Sequence, residues 1–99
     1  MDNDLFDGFV GHVCTYTVGN DYHDFTGIIR GHDSNLFYID HEVSYLKIEF
    51  TSGNTRDVWE YKGRTVRNKD DVIMMRIIKE TTEDHLRRCE MGGMNRSRD

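Results

Sequence analysis

The sequence predicts a small, mainly β domain: a barrel of five or six short strands, with a short helix or arm at the N-terminus and a short helix near the C-terminus. Short runs rich in β-branched and aromatic residues alternate in polarity, as in "GHVCTYTV" and "YLKIEF". This alternation is typical of antiparallel strands with one face in water. Clusters of glycine and Asx residues separate the runs, and proline is absent. The 99 residues, 36% of them apolar, fit one domain with a thin core.

The first predicted elements are a short helix or arm and a strand. Residues 2–9, "DNDLFDGF", form the helix or arm, and its apolar side consists of Leu5, Phe6 and Phe9. Residues 11–18 alternate and form the first strand. The "GNDY" sequence at residues 19–22 is predicted to be the turn that follows.

Two further strands are joined by a tight connection. Residues 23–31 form the second strand, in which Gly27 marks a bend or a close approach of another backbone segment. The Asp-Ser-Asn sequence at residues 33–35 is a turn, because Asx side chains hydrogen-bond to nearby backbone. The "LFYID" sequence at residues 36–40 is the third strand.

The most regular hairpin pattern spans residues 45–61. "YLKIEF" places Leu46, Ile48 and Phe50 on one face, "TSGN" forms the turn and "TRDVWEY" returns. A strand with one apolar and one polar face is typical of an antiparallel sheet. The "KGRTVRNKDD" sequence at residues 62–71 is predicted to be a second turn region.

The last apolar run, "VIMMRIIKE" at residues 72–80, fits either a strand or a helix. Asp70 and Asp71 could cap a helix, but the length of the run and its β-branched residues favour a final strand. The predicted barrel core includes Val13, Ile28, Leu36, Ile48, Val58 and Ile77.

Residues 81–91 fit a short C-terminal helix. Thr81 or Thr82 caps it, acidic residues follow in its first turn, and a pair of glycines at residues 92 and 93 ends it. One domain therefore covers residues 1–91, and residues 92–99 are predicted to be a flexible tail.

Charge and composition narrow the classes of function. The net charge is −5, and the first 49 residues hold two basic side chains against nine acidic ones. This acidity argues against a non-specific nucleic-acid coat, whose affinity comes from phosphate neutralisation, but it leaves room for a local basic pocket. No apolar run approaches the ~18 residues of a membrane helix, and the acidic N-terminus is unlike a signal peptide. Cys14 and Cys89 are expected to be reduced thiols in a cytoplasmic protein without a membrane partner.

The stretches "FTGIIRGHDSNLFYID" and "TVRNKDDVIMM" together resemble the two signatures of the Sm-like family, which comprises Sm, LSm and Hfq-type proteins. "FTGIIRGHDSNLFYID" matches the first signature, in which a glycine, apolar residues and an aspartate precede a short loop, an asparagine and an apolar strand. "TVRNKDDVIMM" is similar to the second signature, with Arg67 on its arginine and Asn68 in place of its glycine. The first loop is shorter than the family's, and "KDD" is inserted before the last strand. The positions matching the first signature are Gly27, Ile28, Ile29, Asp33, Asn35, Leu36 and Asp40.

The resemblance implies an SH3-like or Sm-like barrel without enzymatic activity, cofactor or metal. Such barrels form rings by pairing their edge strands, and they bind single-stranded, uridine-rich RNA at the centre. Asn35 would hydrogen-bond to a base edge, Arg67 would stack on the base or clamp it, and His32 would offer a flat face. The implied RNA-binding residues are His32, Asp33, Asn35, Arg67 and Asn68.

Other interpretations of these residues stay open. Asp33 and Asn35 are typical turn residues, and Arg67 is equally typical of a solvated turn. The histidines lack the compact ligand spacing of a zinc site, and "EYK" at residues 60–62 is too short to indicate a metal-dependent nuclease. If the RNA pocket lies elsewhere, the C-terminal arginines would form it: Arg87, Arg88, Arg96 and Arg98.

The alternative function is that of a small acidic protein-binding barrel of the phage or plasmid type. Such a protein would inhibit a host protein or a nucleic-acid-binding partner by presenting its acidic N-terminal half to a basic surface. The mass in solution distinguishes the two interpretations, because a hexamer or heptamer favours the Sm-like ring.

Overall fold

The computed structural model describes residues 3–19 and 23–96. Most of the predicted turn at residues 19–22, and Arg98 of the predicted tail, lie outside the described residues. The elements along the chain are helix α1 (Asn3–Asp7), strands β1 (Val13–Val18), β2 (His23–His32), β3 (Leu36–Glu49) and β4 (Thr55–Asn68), a 3₁₀ turn (Lys69–Asp71), strand β5 (Val72–Ile77) and helix α2 (Thr82–Arg96).

The five strands form one antiparallel sheet in the order β4-β3-β2-β1-β5. The predicted fold class, a small mainly β domain with a short helix at each end, is therefore confirmed. In this order β4 and β5 are the two edge strands of the sheet.

Strands β3 and β4 are longer than predicted. The runs predicted at residues 36–40 and 45–50 belong to one continuous strand that ends at Glu49, and most of the turn predicted at residues 62–71 belongs to β4. The sheet bends here instead of breaking, because the register of β3 and β4 shifts at Glu42, opposite Gly63. His41 and Gly63 both take positive φ angles, 55° and 77°, at this bend. Positive φ is uncommon for a residue other than glycine, so His41 marks a constrained point of the backbone.

The core lies inside the bent sheet and is closed at one end by α1. Phe6 of α1 packs against Phe37 with ring centroids 5.1 Å apart, and Tyr16 contacts both Phe25 and Phe37. The buried cluster consists of Phe6, Cys14, Tyr16, Val18, Phe25, Ile29, Phe37 and Ile39.

The predicted core was only partly correct. Val13 is buried, and Ile28 and Leu36 are half-buried. Ile77 is 47% exposed, because β5 is an edge strand. Strand β3 points Phe37 and Ile39 inward in place of Leu36. The side chains of Ile48 and Val58 lie outside those that the structure describes.

Gly27 confirms the predicted close approach of two backbone segments. A Cβ atom at this position would lie 2.4 Å from the Ile39 side chain and 3.3 Å from the Cα atom of Glu42. Only glycine allows β2 to run this close to the bend in β3.

Helix α2 begins as predicted but ends later. Thr81 caps it, since its hydroxyl accepts a hydrogen bond from the Asp84 amide at 3.1 Å. The helix continues to Arg96, through the two glycines expected to end it at residues 92 and 93. Glycine disfavours a helix by only about 1 kcal/mol, which the rest of a helix can offset. Among the described residues, no helix is both long and apolar enough to cross a membrane.

Candidate nucleic-acid interface

The turn after β2 and the end of β4 meet at one corner of the sheet. The backbone amide of Lys69 donates a hydrogen bond to the carbonyl of Asn35 at 2.9 Å. Beside it, Leu36 pairs with Asn68 across β3 and β4. The two segments that carry the signature-like residues are therefore adjacent.

Asp33 holds the turn in shape. Its Oδ1 atom accepts hydrogen bonds from the amides of Asn35 and Leu36 at 2.9 and 2.8 Å, and its Oδ2 atom accepts one from the Tyr38 hydroxyl at 2.7 Å. The hydroxyl of Tyr38, followed by the two amides, lowers the pKa of the Asp33 carboxyl. The carboxylate thus stays ionised and is already bound to its own loop.

His32 connects this turn to helix α1. Its Nε2 atom lies 2.6 Å from Oδ1 of Asp7, and its Nδ1 atom lies 3.0 Å from Nζ of Lys69. Since the lysine ammonium is a donor, Nδ1 accepts and Nε2 carries the proton that is donated to Asp7. The imidazole ring also lies against Phe6, with centroids 5.7 Å apart.

Lys69 is a site residue that the sequence did not indicate. Only 3% of it is exposed, although lysine is rarely buried. Its ammonium donates to the carbonyl of Asp33 and to His32, and it lies 4.6 Å from the centre of the Phe6 ring. In the sequence Lys69 belongs to the inserted "KDD", and nothing in that pattern distinguishes a buried lysine from an exposed one.

Arg67 is bound to a buried carboxylate. Its Nε and Nη2 atoms donate to Oε2 and Oε1 of Glu42 at 2.8 and 2.7 Å, which is a bidentate ion pair. Glu42 is fully buried and also accepts a hydrogen bond from the Tyr16 hydroxyl. The Arg67 guanidinium lies 4.0 Å above the centre of the Phe25 ring. Glu42 raises the pKa of Arg67, and burial together with Glu42 raises the pKa of Tyr16.

Glu42 was also missed from the sequence. It appears there as one acid within the strand-like run "DHEVSY", and its partner follows 25 residues later. No local pattern in this largely polar run indicates that Glu42 is buried.

The two asparagines differ in what their side chains do. The Asn68 Oδ1 atom accepts a hydrogen bond from the Asp70 amide at 2.9 Å and caps the 3₁₀ turn. The exposed Asn35 side chain makes no hydrogen bond within residues 3–19 and 23–96. Of the five predicted residues, Asn35 is therefore the one whose entire polar group stays available to a ligand.

A surface cavity of about 310 Å³, here named the Arg67 pocket, lies between the ends of β1 and β4. Arg67 and Asn68 line it, whereas His32, Asp33 and Asn35 do not. The structure thus divides the predicted site into a turn with an exposed amide and a pocket beside the arginine. The lining residues are Val18, Gly19, Phe25, Val66, Arg67, Asn68 and Asp71.

The other candidate sites contain paired groups. Arg87 lies 3.4 Å from Asp84 and 3.6 Å from Glu83, and Arg88 lies 3.2 Å from Glu80. The Arg96 side chain is outside those described. In the part of the chain that the structure describes, no three His, Cys, Asp or Glu side chains are grouped to hold a metal ion.

The arrangement of strands and helices is similar to that of a heptameric archaeal Sm protein of known crystal structure. The two superpose with a TM-score of 0.56, covering 77% of this chain and 98% of that one, at 17% sequence identity. The chain has an Sm-like fold. No family model and no curated protein matches the sequence. At this identity the likeness is one of fold, and the Sm-like fold confirms the expectation drawn from the two signature-like stretches.

Proposed function

We propose that this protein is a non-catalytic RNA-binding subunit that assembles into a ring and binds single-stranded, uridine-rich RNA. The observation that carries the proposal is the meeting of the two signature-like segments in an Sm-like fold. There the exposed amide of Asn35 and the planar groups of His32 and Arg67 lie in neighbouring segments of one chain.

Ring assembly is supported by the two edge strands. Strands β4 and β5 end the sheet, and an edge strand has backbone groups that can pair with another chain. Strand β5 exposes large apolar side chains, which pairing between copies would cover: Ile73, Met74 and Ile77.

RNA binding is supported by the chemistry of the corner. Single-stranded RNA offers base faces for stacking and base edges for hydrogen bonding. The Asn35 amide has a donor and an acceptor for a base edge. His32 and Arg67 supply planar groups, and Lys69 adds a positive charge beneath the turn. Asp33 and Asn68 contribute indirectly. The Asp33 carboxylate holds the turn at residues 33–35 in shape, and the Asn68 side chain caps the 3₁₀ turn.

The test is a titration of labelled oligo-uridine and a mixed-sequence oligomer at low salt. Asn35→Ala removes an exposed amide without removing an internal hydrogen bond. We expect it to weaken binding about fivefold per subunit, for a hydrogen bond contributing about 1 kcal/mol. Ser34→Ala, in the same turn, is the matched control and should bind like the wild type.

The titration also separates the proposal from its alternative. Affinity should fall steeply with salt, because phosphate contacts release counterions. If the wild type binds neither oligomer at low salt, the RNA-binding proposal is wrong and the protein-binding interpretation replaces it. Equal binding by wild type and Asn35→Ala would place the contact elsewhere on the chain.

A further inference from the structure

The Arg67 pocket has the size and composition of a small-ligand site. Its volume of about 310 Å³ lies at the low end of the roughly 300–1,000 Å³ typical of such pockets. Val18, Val66 and the Phe25 ring provide apolar walls, and a few polar groups converge beside them. This combination of an apolar lining and a small number of polar groups fits a flat, partly polar ligand.

Arg67 gives the pocket a rigid flat surface. One face of its guanidinium lies on Phe25, and one edge is bound to Glu42. A guanidinium held in this way cannot turn to meet a ligand, so its remaining face is preorganised for stacking. The guanidinium is also hydrogen-bonded to the Tyr16 hydroxyl, which fixes it further. The side chain is 25% exposed, and this exposed part is what a ligand in the pocket can reach.

Asn68 and Asp71 supply the other polar groups. Because the Asn68 Oδ1 atom accepts from Asp70, its NH₂ group is the part left to donate to a ligand. The backbone carbonyl of Asp71 accepts a hydrogen bond from the Gly19 amide at 2.8 Å, which fixes this residue at the pocket rim. Its exposed carboxylate makes no hydrogen bond within the described residues. The pocket thus offers donors from the end of β4 and a two-oxygen acceptor from the 3₁₀ turn.

This pattern of groups distinguishes among the bases. Guanine presents two adjacent donors, N1–H and the N2 amino group, that can pair with both oxygens of a carboxylate, and it presents acceptors at O6 and N7. Uracil has one N–H group flanked by two carbonyl oxygens. Only one carboxylate oxygen can accept from that N–H, and the other is repelled by a carbonyl oxygen of the base. Adenine and cytosine each place an acceptor nitrogen beside their amino group. Guanine therefore satisfies both the donors and the acceptor of the pocket.

We infer that the Arg67 pocket binds a guanine base, stacked on the Arg67 guanidinium and hydrogen-bonded to the Asp71 carboxylate. The base could belong to an RNA strand or to a free guanine nucleotide, since the recognition chemistry is the same. For a base within RNA, the inference rests on the proposed function. The guanine site would then be a second base-binding site, separate from the Asn35 turn.

The test compares guanosine monophosphate with uridine monophosphate, and oligo-uridine with the same oligomer carrying one guanine. The variant Asp71→Asn removes one acceptor and adds a donor without changing size. Asp70→Asn, the neighbouring residue in the same 3₁₀ turn, is the matched control with the same change of charge. Circular dichroism verifies that both variants fold like the wild type.

The wild type should bind the guanine nucleotide more tightly than the uracil one. Asp71→Asn should lose roughly tenfold in guanine affinity, the loss expected for a good bidentate contact to a base, and Asp70→Asn should retain it. If the base comes from RNA, the single guanine strengthens oligomer binding and Asp71→Asn cancels the gain. If the ligand is a free nucleotide, the preference is seen with the mononucleotides alone.

The failures of the two proposals differ. In one outcome, the protein binds oligo-uridine but shows no preference for guanine in either pair of ligands and no effect of Asp71→Asn. That result would overturn the guanine site and leave RNA binding in place. A guanine preference that depends on Asp71, without any binding of oligo-uridine, would support the site and refute the uridine-binding function.

Discussion

Single residues set how closely the strands of this sheet can pack, and Gly27 is the clearest case. Its missing side chain leaves room for Ile39 and for the backbone of Glu42, the residue that turns inward at the bend of β3. The packing beneath the bend therefore depends on a position where any larger residue would clash with side chain and backbone together.

We predict that Gly27→Ala destabilises the protein by about 1–3 kcal/mol, the usual cost of overpacking a core. Urea unfolding measures this directly. Gly31→Ala is the control in the same strand, because its nearest neighbour, Tyr38, would lie 3.9 Å from the new Cβ atom in ordinary contact. Equal midpoints for the two variants would show that the backbone at Gly27 moves freely.

The ion pair between Arg67 and Glu42 is the second residue-scale feature. Removing one partner of a buried pair leaves an uncompensated charge, which costs more than the pair itself contributes. We predict that Arg67→Ala lowers the free energy of unfolding by about 3 kcal/mol. A loss of RNA binding in this variant would therefore not identify Arg67 as a contact, whereas Asn35→Ala is free of this effect.

Denaturant unfolding of Arg67→Ala alongside Arg64→Ala tests this prediction. Arg64 lies in the same strand and pairs with Asp40 at 3.1 Å, but its side chain is 72% exposed, so its removal should cost under about 1 kcal/mol. Adding Glu42→Gln to Arg67→Ala should recover part of the loss, since the buried charge is then gone. Similar costs for the two arginine variants would contradict the assignment.

At the scale of elements, the bend in β3 joins helix α2 to the sheet. The carbonyl of His41 accepts a hydrogen bond from Nε2 of His85 at 2.7 Å, and the Sγ atom of Cys89 lies 3.6 Å from the same oxygen. Donation from Nε2 places the proton of a neutral His85 on that atom. A second proton would leave a buried N–H without an acceptor, because the Nδ1 atom has no hydrogen-bond partner in the described chain. The docked position of α2 therefore favours an uncharged His85.

Acidification should destabilise the docked helix. Burial lowers the pKa of His85, which outweighs the opposing effects of the His41 carbonyl and Glu80. The unfolded chain then binds a proton below a pH of about 6.5, the ordinary histidine pKa, where the folded chain does not. The free energy of unfolding should fall as pH drops through this range, by at most about 1.4 kcal/mol per pH unit for one group.

The measurement is the pH dependence of urea unfolding between pH 7.5 and 5.5. His85→Gln keeps an N–H donor for the His41 carbonyl but cannot titrate, so its profile should be flatter than that of the wild type. His12→Gln, at an exposed histidine, should leave the profile unchanged. A wild-type slope that persists in His85→Gln would assign the effect to another group.

The sequence predicted the elements better than their lengths. Alternation of apolar and polar residues located the strands, because the two-residue period of a strand is visible within a short stretch of sequence. It placed a turn at residues 62–71, whereas the structure uses the positive φ of Gly63 to bend a continuous strand. A bend and a turn have the same residue preferences, and only the partner strand distinguishes them.

The site was predictable to the extent that it is local. The Asp33 turn and the neighbouring Asn35 follow from a short Asx pattern. The pairing of Arg67 with Glu42 and the burial of Lys69 depend on residues brought together across 25 or more positions, which no local pattern encodes. The lining of the Arg67 pocket likewise comes from three strands and the 3₁₀ turn.

At the scale of the whole molecule, the sheet is incomplete at both edges. Ile73 of β5 is 57% exposed and lies where the register between β1 and β5 shifts, so it has no partner residue in β1. A charge placed there disturbs little within the chain but would oppose the docking of a second copy. The edge of β5 is therefore the place to test assembly without unfolding the subunit.

We predict that the wild type is an oligomer at micromolar concentration and that Ile73→Asp reduces its mass toward that of the 11.7 kDa monomer. The physical reason is that pairing of β4 with β5 of a neighbour would bury this position, and an unpaired buried carboxylate is strongly disfavoured. Light scattering coupled to size-exclusion chromatography measures the mass. Phe50→Asp is the control, because Phe50 is similarly exposed, at 49%, but lies in the turn between β3 and β4, outside the two edge strands. An oligomer that dissociates equally in both variants would place the interface elsewhere, and a monomeric wild type would rule out the ring.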